Sequence, residues 1–300
     1  MRVNPNMVPD MLAAIQNSES NLQTALQQVS TGKSVNLPSD NPGAEADMVQ
    51  NTIETANVDQ NTQNVSSVLS TVQTADSTLS AVVTSLTKAV SLGTEGANGT
   101  NSAANQQAIA TQVQGILSSV VSQANLSYNG SYVFGGTAST AVPYTADPSS
   151  ASGYTYNGNN DVNSVQIGDQ LSVQVNLPGS QVFSNSSANV LGSLSSLVTA
   201  LQSGSTSAIS TATSAVSSAL SYVSQQRVVY GNAESQLNAQ ETYLQQETVN
   251  LSSQATSLVG VDMAKAATTL SQAETDNNAA LAAAAKVVPN SLLNYLSTPN

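Results

Sequence analysis

One register dominates this sequence. Ile209, Val216, Val223, Tyr230, Leu237, Leu244, Leu251 and Leu258 recur every seven residues. Seven residues make almost two turns of an α-helix, so these eight side chains form one narrow stripe along a long helix. The companion positions Thr213, Leu220, Arg227, Glu234, Glu241, Thr248 and Ala255 are mixed in character. A seam this narrow does not stabilise a lone helix, and the segment therefore requires partner helices.

The N-terminal third carries matching patterns. Val65, Val68, Val72, Ala75, Leu79, Val82, Leu86 and Ala89 alternate in steps of three and four. They predict a helix from about Pro42 to Val90, roughly 70 Å long at 1.5 Å per residue. Such a helix indicates an elongated rod. It opens on Asn41-Pro42, a capping residue followed by proline at the first helical position. Before it, Val8, Leu12, Ile15, Leu22, Leu26 and Val29 follow heptad spacing, with Glu19 in the vacant slot. This stripe fits a partner helix, and it also fits the buried face of an ordinary amphipathic helix. Gly32 should end the first helix. Residues 93–102 form a turn cluster, and a third helix follows with Ile109, Val113, Ile116, Val120 and Ala124 on one face.

The pattern changes at 128–183, a segment rich in Tyr, Gly and Asn. Val165 and Ile167, then Leu171, Val173, Val175 and Leu177, alternate with polar residues as half-buried strands do. Asn157-Gly158 is a tight-turn signal, with further turns at Gly168-Asp169 and Pro178-Gly179. Helices resume near Asn189 with Val190, Leu194, Leu197 and Leu201, and break at Gly204 and Gly260. A last helix should run from about Asp262 to Val288 with Met263, Leu270 and Leu281, ending at Pro289. Ser291-Leu292-Leu293-Asn294-Tyr295-Leu296 then forms an apolar tail. The fold class is mainly α, a rod of paired N- and C-terminal helices with a small inserted β domain. Residues 1–60 with 255–300 form a terminal helical assembly domain. Residues 61–127 with 187–254 form a helical rod domain, and 128–186 the β-rich outer domain.

Composition narrows the function. Of 300 residues only 8% are charged, and the formal net charge is −12. The basic residues Arg2, Lys33, Lys88, Arg227, Lys265 and Lys286 stand singly, and a phosphate backbone needs clustered cations. Nucleic acid is not an expected partner. With no Cys and no His, thiolate nucleophiles, the commonest general base and the usual transition-metal ligands are missing. No apolar run is long enough to cross a membrane, and no cleaved secretory signal is visible near the N-terminus. The expectation is a non-enzymatic structural protein without cofactors or membrane insertion.

Three motifs then carry a family resemblance. The opening Met1-Arg2-Val3 is one. The stretch Val29-Ser30-Thr31-Gly32-Lys33-Ser34-Val35-Asn36-Leu37-Pro38-Ser39-Asp40-Asn41-Pro42 is the strongest, and Gly130-Ser131-Tyr132-Val133-Phe134-Gly135-Gly136 is the third. Together with the tail, they resemble the bacterial flagellar hook-associated protein 3 family, the hook–filament junction branch of the flagellin-like superfamily. That family has Ser-Thr-Gly-Lys and then Pro-Ser-Asp-Asp-Pro, and here Asn41 replaces the second Asp. The likeness covers roughly 1–136 and 205–296. Flagellins instead usually carry Leu-Ser-Ser-Gly, Arg-Ile-Asn and Asp-Asp-Ala-Ala-Gly.

The resemblance implies a flagellin-like rod that joins the hook, through hook-associated protein 1, to the flagellin filament. It implies a ring of subunits with terminal helices forming the inner tube. It also implies a cytoplasmic export chaperone and extracellular delivery through the flagellar type III apparatus without a cleaved signal. The expected assembly interface is the N-terminal stripe, Leu237, Leu244, Leu251, Leu258, Leu270, Leu281, Leu292, Leu293, Tyr295 and Leu296. Flagellin itself, a bulk filament subunit, is the alternative. A surface adhesin or hydrolase with its site in the β insert is a further one.

Other candidate chemistry is thin. Gly32-Lys33-Ser34 ends like a phosphate-binding loop, but Gln27 stands where that loop needs glycine. Asn157-Gly158-Asn159-Asn160-Asp161 is oxygen-rich, yet no Glu closes it as in an EF-hand. Glu234 and Glu241 share a helix face about 10 Å apart, which suits solvated or interface acids facing Arg227 better than a catalytic pair. Tyr128, Tyr132, Tyr144, Tyr154 and Tyr156 suit strand packing, or contact with a sugar or partner. The tail generates a first prediction. Deleting 288–300 should leave a soluble chain that fails to restore filaments in a junction-null strain, whereas normal filament growth would remove the tail from assembly.

Overall fold

The computed structural model describes residues 7–168 and 171–296, with the side chains of residues 7, 8, 171 and 287–296 outside that description. The fold is mainly α. Its helices are α1 (Met7–Thr31), α2 (Pro42–Gly96), α3 (Ala103–Ala124), α4 (Gly179–Val182), α5 (Val190–Ser203), α6 (Thr206–Val259) and α7 (Met263–Leu296). Short polar side chains start four of them. Asn41 Oδ1 accepts from the Ala44 N–H at 3.2 Å, and Ser102 Oγ from Asn105 at 3.2 Å. Asn189 Oδ1 accepts from Gly192 at 2.8 Å, and Asp262 Oδ1 from Ala264 at 2.9 Å. Each satisfies an orphan donor of a first turn.

Two helices outrun the sequence expectation. α2 continues through Gly93 to Gly96, because tertiary packing outweighs glycine's low helix propensity. A Cβ at Gly96 would strike Leu201 of α5 and sit 3.8 Å from both Ile109 of α3 and Ile209 of α6. α7 passes through Pro289 to Leu296. Proline removes one backbone donor, and the good helix formers Leu292, Leu293 and Leu296 favour continuation beyond it.

The chain divides into two compact units, 1–58 with 246–300 and 59–245. In the 59–245 unit, Val65, Val72, Leu79 and Leu86 of α2 are 0% exposed, and so are Ile209, Val216, Val223 and Leu237 of α6. The two helices run antiparallel there. Arg227 binds Asp76 through two bonds of 2.9 and 2.8 Å, and Thr213 of α6 lies against Gly93 of α2. α3 packs on α5 through Ile109, Val113, Leu194 and Leu197, all buried. Each Leu removed from water contributes about 1.5–3 kcal/mol, and a seven-residue repeat adds such residues in register.

The β region forms four separate antiparallel hairpins among the described residues. These are β1–β2 (Ser127–Tyr128, Ser131–Tyr132), β3–β4 (Tyr144–Ala146, Tyr154–Tyr156), β5–β6 (Ser164–Gly168, Leu171–Gln174) and β7–β8 (Ser184–Asn185, Ala188–Asn189). The Val165↔Val173 register matches the predicted alternation. The expected turn at Gly168-Asp169 reaches outside the described residues. The tight turn expected at Asn157-Gly158 is found instead at Asn129-Gly130, where φ is +50° and +79°. The type I′ turn of such a hairpin needs left-handed backbone at both positions. Asn157 serves as a clamp, its N–H donating to Pro143 and its Nδ2 to Thr145.

Aromatic side chains fill the β region. Phe134 meets Phe183 edge-on at 5.1 Å, and Tyr144 lies 5.2 Å from Tyr156. Tyr230 is 1% exposed, and its hydroxyl accepts from the Leu177 N–H at 3.0 Å. Burial pushes its pKa up, so it stays neutral. Leu79→Ala should cost about 2–5 kcal/mol in urea unfolding, and Tyr230→Phe about 1–3 kcal/mol because the Leu177 donor loses its partner. Leu281→Ala, at a half-exposed position, should change stability by no more than about 0.5 kcal/mol.

Candidate functional site

The unit 1–58 with 246–300 gathers most of the sequence-predicted interface residues. α1 packs on α7. Its covered row is Met11, Ile15, Ser18, Leu22, Ala25 and Val29, of which Ala25 is fully buried and the others half-buried. The opposing row on α7 is Ala266, Leu270, Ala273, Asn277 and Ala280. Both rows step by three and four, and the alanines let the helices approach closely. Three of the predicted α1 residues, Ile15, Leu22 and Val29, lie on this row. Leu12 and Leu26 follow Met11 and Ala25 by one residue, a turn of about 100°, and are 55% and 47% exposed.

The seam is incompletely filled. A cleft of about 810 Å³ runs between α1 and α7, bordered by Asn17, Ser18, Asn21, Thr24, Gln272 and Asp276. Within it the buried Ser18 Oγ has no hydrogen-bond partner among the described residues. More apolar side chains stand out around it. Leu37, Val49, Ile53, Val249, Met263 and Leu281 are each at least half exposed in this unit. Burying them would be favourable, and nothing among the described residues does so.

The Ser-Thr-Gly-Lys-Ser motif has a backbone task. Gly32 takes φ +69°, which ends α1 in the left-handed conformation. Ser34 N–H then donates to the Val259 carbonyl at 2.7 Å, and Val261 N–H to the Gly32 carbonyl at 3.1 Å. Lys33 and Gly260 form an antiparallel bridge. The segment after α1 is thereby stitched to the connection between α6 and α7. Downstream, Asp40 Oδ2 accepts from the N–H groups of Asn36 and Leu37 at 3.0 and 2.9 Å, folding the loop into α2. The glycine and serine of Gly32-Lys33-Ser34 thus join chain segments.

The remaining predicted residues divide. Leu237, Leu244 and Leu251 are no more than 3% exposed, covered within the chain itself. Leu258 and Leu270 are half-buried, and Leu281 is 50% exposed. The side chains of Val8, Leu292, Leu293, Tyr295 and Leu296 lie outside the described residues.

Two features escaped the sequence reading. Asn51 is 3% exposed, and its Nδ2 donates to the Leu251 carbonyl at 3.0 Å and to Gln254 Oε1 at 3.2 Å. It stands fourteen residues before Val65, in the register of the α2 stripe. A lone amide in an apolar seam fixes the alignment of two helices. Its spacing continues the stripe, but an amide is invisible to an apolar pattern. The second is the partner of Arg227. Its guanidinium grips Asp76 of α2 at 2.8 Å, and this hydrogen bond holds its pKa up. Glu234 adds only a weaker attraction, so the expected facing of Arg227 by the α6 acids gives way to a bond between helices.

In the loop 157–161 the oxygens are engaged internally. Asn159 Oδ1 accepts from the Thr137 N–H at 2.7 Å, and Asp161 Oδ2 from Asn159 Nδ2 at 3.0 Å. Among the described residues no cluster of three or more Asp, Glu, His or Cys is placed to hold a metal ion, and no helix is long and apolar enough to cross a membrane.

Comparison with known proteins matches this architecture. The bacterial flagellin N-terminal helical region matches residues 3–139, and the C-terminal helical region residues 213–296. Flagellar hook-associated protein 3 of Salmonella typhimurium is 25% identical over 193 residues, which are 64% of this chain and 59% of that protein's length. The Bacillus cereus FlgL crystal structure is 23% identical, covers 69% of this chain and 99% of its own, and superposes with a TM-score of 0.61. The flagellar junction protein FlgL from Legionella pneumophila is 15% identical, with 65% and 99% covered and a TM-score of 0.55. With both terminal helical regions matched at the two ends of one chain, this protein belongs to the bacterial flagellin family, and it resembles that family's hook-associated members.

Proposed function

We propose that this protein is a structural subunit of the bacterial flagellum that joins the hook to the filament by assembling its terminal helices with those of its neighbours. One observation carries the reading: the unit 1–58 with 246–300 leaves a set of large Leu, Ile, Val and Met side chains about half exposed. An isolated chain has no use for such a surface. Burial against neighbours would contribute about 1.5–3 kcal/mol for each large side chain covered. The partly filled α1–α7 seam favours the same reading, because neighbouring helices would complete it. Catalysis has no part in this mechanism, which depends on fit between helical surfaces.

By resemblance, the partners are copies of the same chain in a ring, hook-associated protein 1 on one side and flagellin on the other. A cytoplasmic chaperone would cover the C-terminal helices before export through the flagellar type III apparatus to the extracellular flagellum. The names of the relatives favour a junction role over a bulk filament. Copy number separates the two, since a junction subunit should be rare beside filament protein.

The test follows from the exposure pattern. Leu237, Leu244 and Leu251 are poor targets, because charging them would disrupt the chain's own core. Leu12→Asp combined with Ile53→Asp alters only exposed positions. The variant should keep its helical circular dichroism and melting temperature, appear in the culture medium as monomer, and support no filaments. Normal filaments from a folded and exported double variant would exclude this surface from assembly.

A further inference from the structure

Asn-Gly occurs three times in this chain, at 98–99, 129–130 and 157–158. In this pair a side-chain amide carbonyl is followed by a backbone nitrogen that no Cβ screens. Attack of that nitrogen on the side chain closes a succinimide ring. The fold sets the three pairs apart. Asn157 is locked. Its Nδ2 donates to Thr145 Oγ1 at 2.9 Å and to the Val142 carbonyl at 3.4 Å, and a Cβ at Gly158 would strike the Tyr156 side chain and the Gly135 carbonyl. Asn129 is held by its hairpin. Ring closure turns the peptide plane after the asparagine, and here Tyr128 pairs with Ser131 across that plane while Asn129 keeps φ +50°.

Asn98 has neither restraint. It stands exposed in the link between α2 and α3, and Gly99 is exposed with nothing within 4 Å of where a Cβ would lie. The Gly99 N–H has no backbone acceptor among the described residues, and one turn bond, from the Asn101 N–H to the Asn98 carbonyl at 3.0 Å, spans the peptide plane. Asn98 Oδ1 accepts from both the N–H and the hydroxyl of Thr100, at 3.2 and 2.9 Å. Two donors on one carbonyl oxygen draw electron density from Cγ and offset the negative charge that attack places on that oxygen. We propose that Asn98 is a self-modifying site. The Gly99 nitrogen gives up its proton to solvent base and bonds to Asn98 Cγ. The Cγ–Nδ2 bond then breaks, and Nδ2 takes a proton from solvent and leaves as ammonia. Water adds to either carbonyl of the succinimide and opens it to aspartate or isoaspartate. The sum is one water consumed and one ammonia released, with no oxidation or reduction. The product sets a carboxylate just past α2, near Glu95 and the negative end of the helix dipole. Isoaspartate also lengthens the backbone of the link. The proposal is independent of the assembly reading.

The test incubates the full chain in buffers of rising pH, folded and in urea. Digested peptides are read by mass spectrometry, with an isoaspartyl methyltransferase label for the isomer. In the folded chain position 98 should convert faster than 129, and at least about tenfold faster than 157, where two bonds to Nδ2 must first break. Its rate should rise with pH as more of the Gly99 nitrogen is deprotonated. In urea the three rates should converge, because only the fold separates them. Thr100→Val removes the hydroxyl donor and keeps the N–H, and should slow conversion at 98 about two- to tenfold. Gly99→Val should nearly abolish it. Both changes fall at exposed positions and should leave the melting temperature in place. No conversion at 98 over a time that converts the chain in urea, faster conversion at 129 or 157, rates that stay apart in urea, or an unchanged rate in folded Thr100→Val would overturn the proposal.

Discussion

The antiparallel pairing of α2 with α6 is the interaction on which the rest of the structure depends. In the 59–245 unit the two seven-residue stripes close on each other, and four positions on each helix are wholly removed from water. The pairing also fixes alignment by polar means. Asp76 and Arg227 form a two-bond ion pair at its edge, and Asn51 bonds to Leu251 within the other unit. Apolar stripes alone tolerate slippage by a heptad, because every seventh residue is alike. A single amide or a forked ion pair does not, since a slipped register would leave its groups unpaired.

Against that closed core, the unit made of the chain ends is unfinished. α1 and α7 meet through small and half-buried residues, with a cleft along the seam and large apolar side chains standing on the flanks. Backbone bonds add a further tie within this unit. The strand-like exchange between Gly32–Ser34 and Val259–Val261 ties the two ends of the sequence across more than two hundred residues. Such bonds depend little on side-chain identity, except at Gly32, where the left-handed turn favours glycine. The motif by which the family is recognised is therefore a joint between the ends of the chain.

The β region is attached by aromatic and polar anchors in place of a repeat. Tyr230 shows the economy of this arrangement. It occupies a place in the α6 stripe as an apolar residue, while its hydroxyl reaches the backbone of Leu177. A seven-residue stripe reveals the ring but carries no record of the backbone N–H that donates to its hydroxyl. The displaced tight turn has a similar cause. Asn-Gly occurs at both 129–130 and 157–158, and local turn chemistry is the same at each. The choice between them was made by the strands that pair around the turn.

The sequence by itself determined the helices, their caps and breaks, the stripes they share, and the family likeness, because these rest on periodicity and on residues acting on their near neighbours. Asn41, Ser102, Asn189 and Gly204 act within a few residues of where they stand. Tertiary structure alone decided which face of each stripe is covered. The spacing of Leu12, Ile15, Leu22 and Leu26 is the same whether a partner lies on one side or the other, yet Leu12 and Leu26 are left out and Ile15 and Leu22 taken in. It also decided that Leu237, Leu244 and Leu251 serve the chain's own core, and that Arg227 answers to Asp76. Each of these is a meeting of residues far apart in sequence, and a helix or strand pattern carries no record of what it will meet.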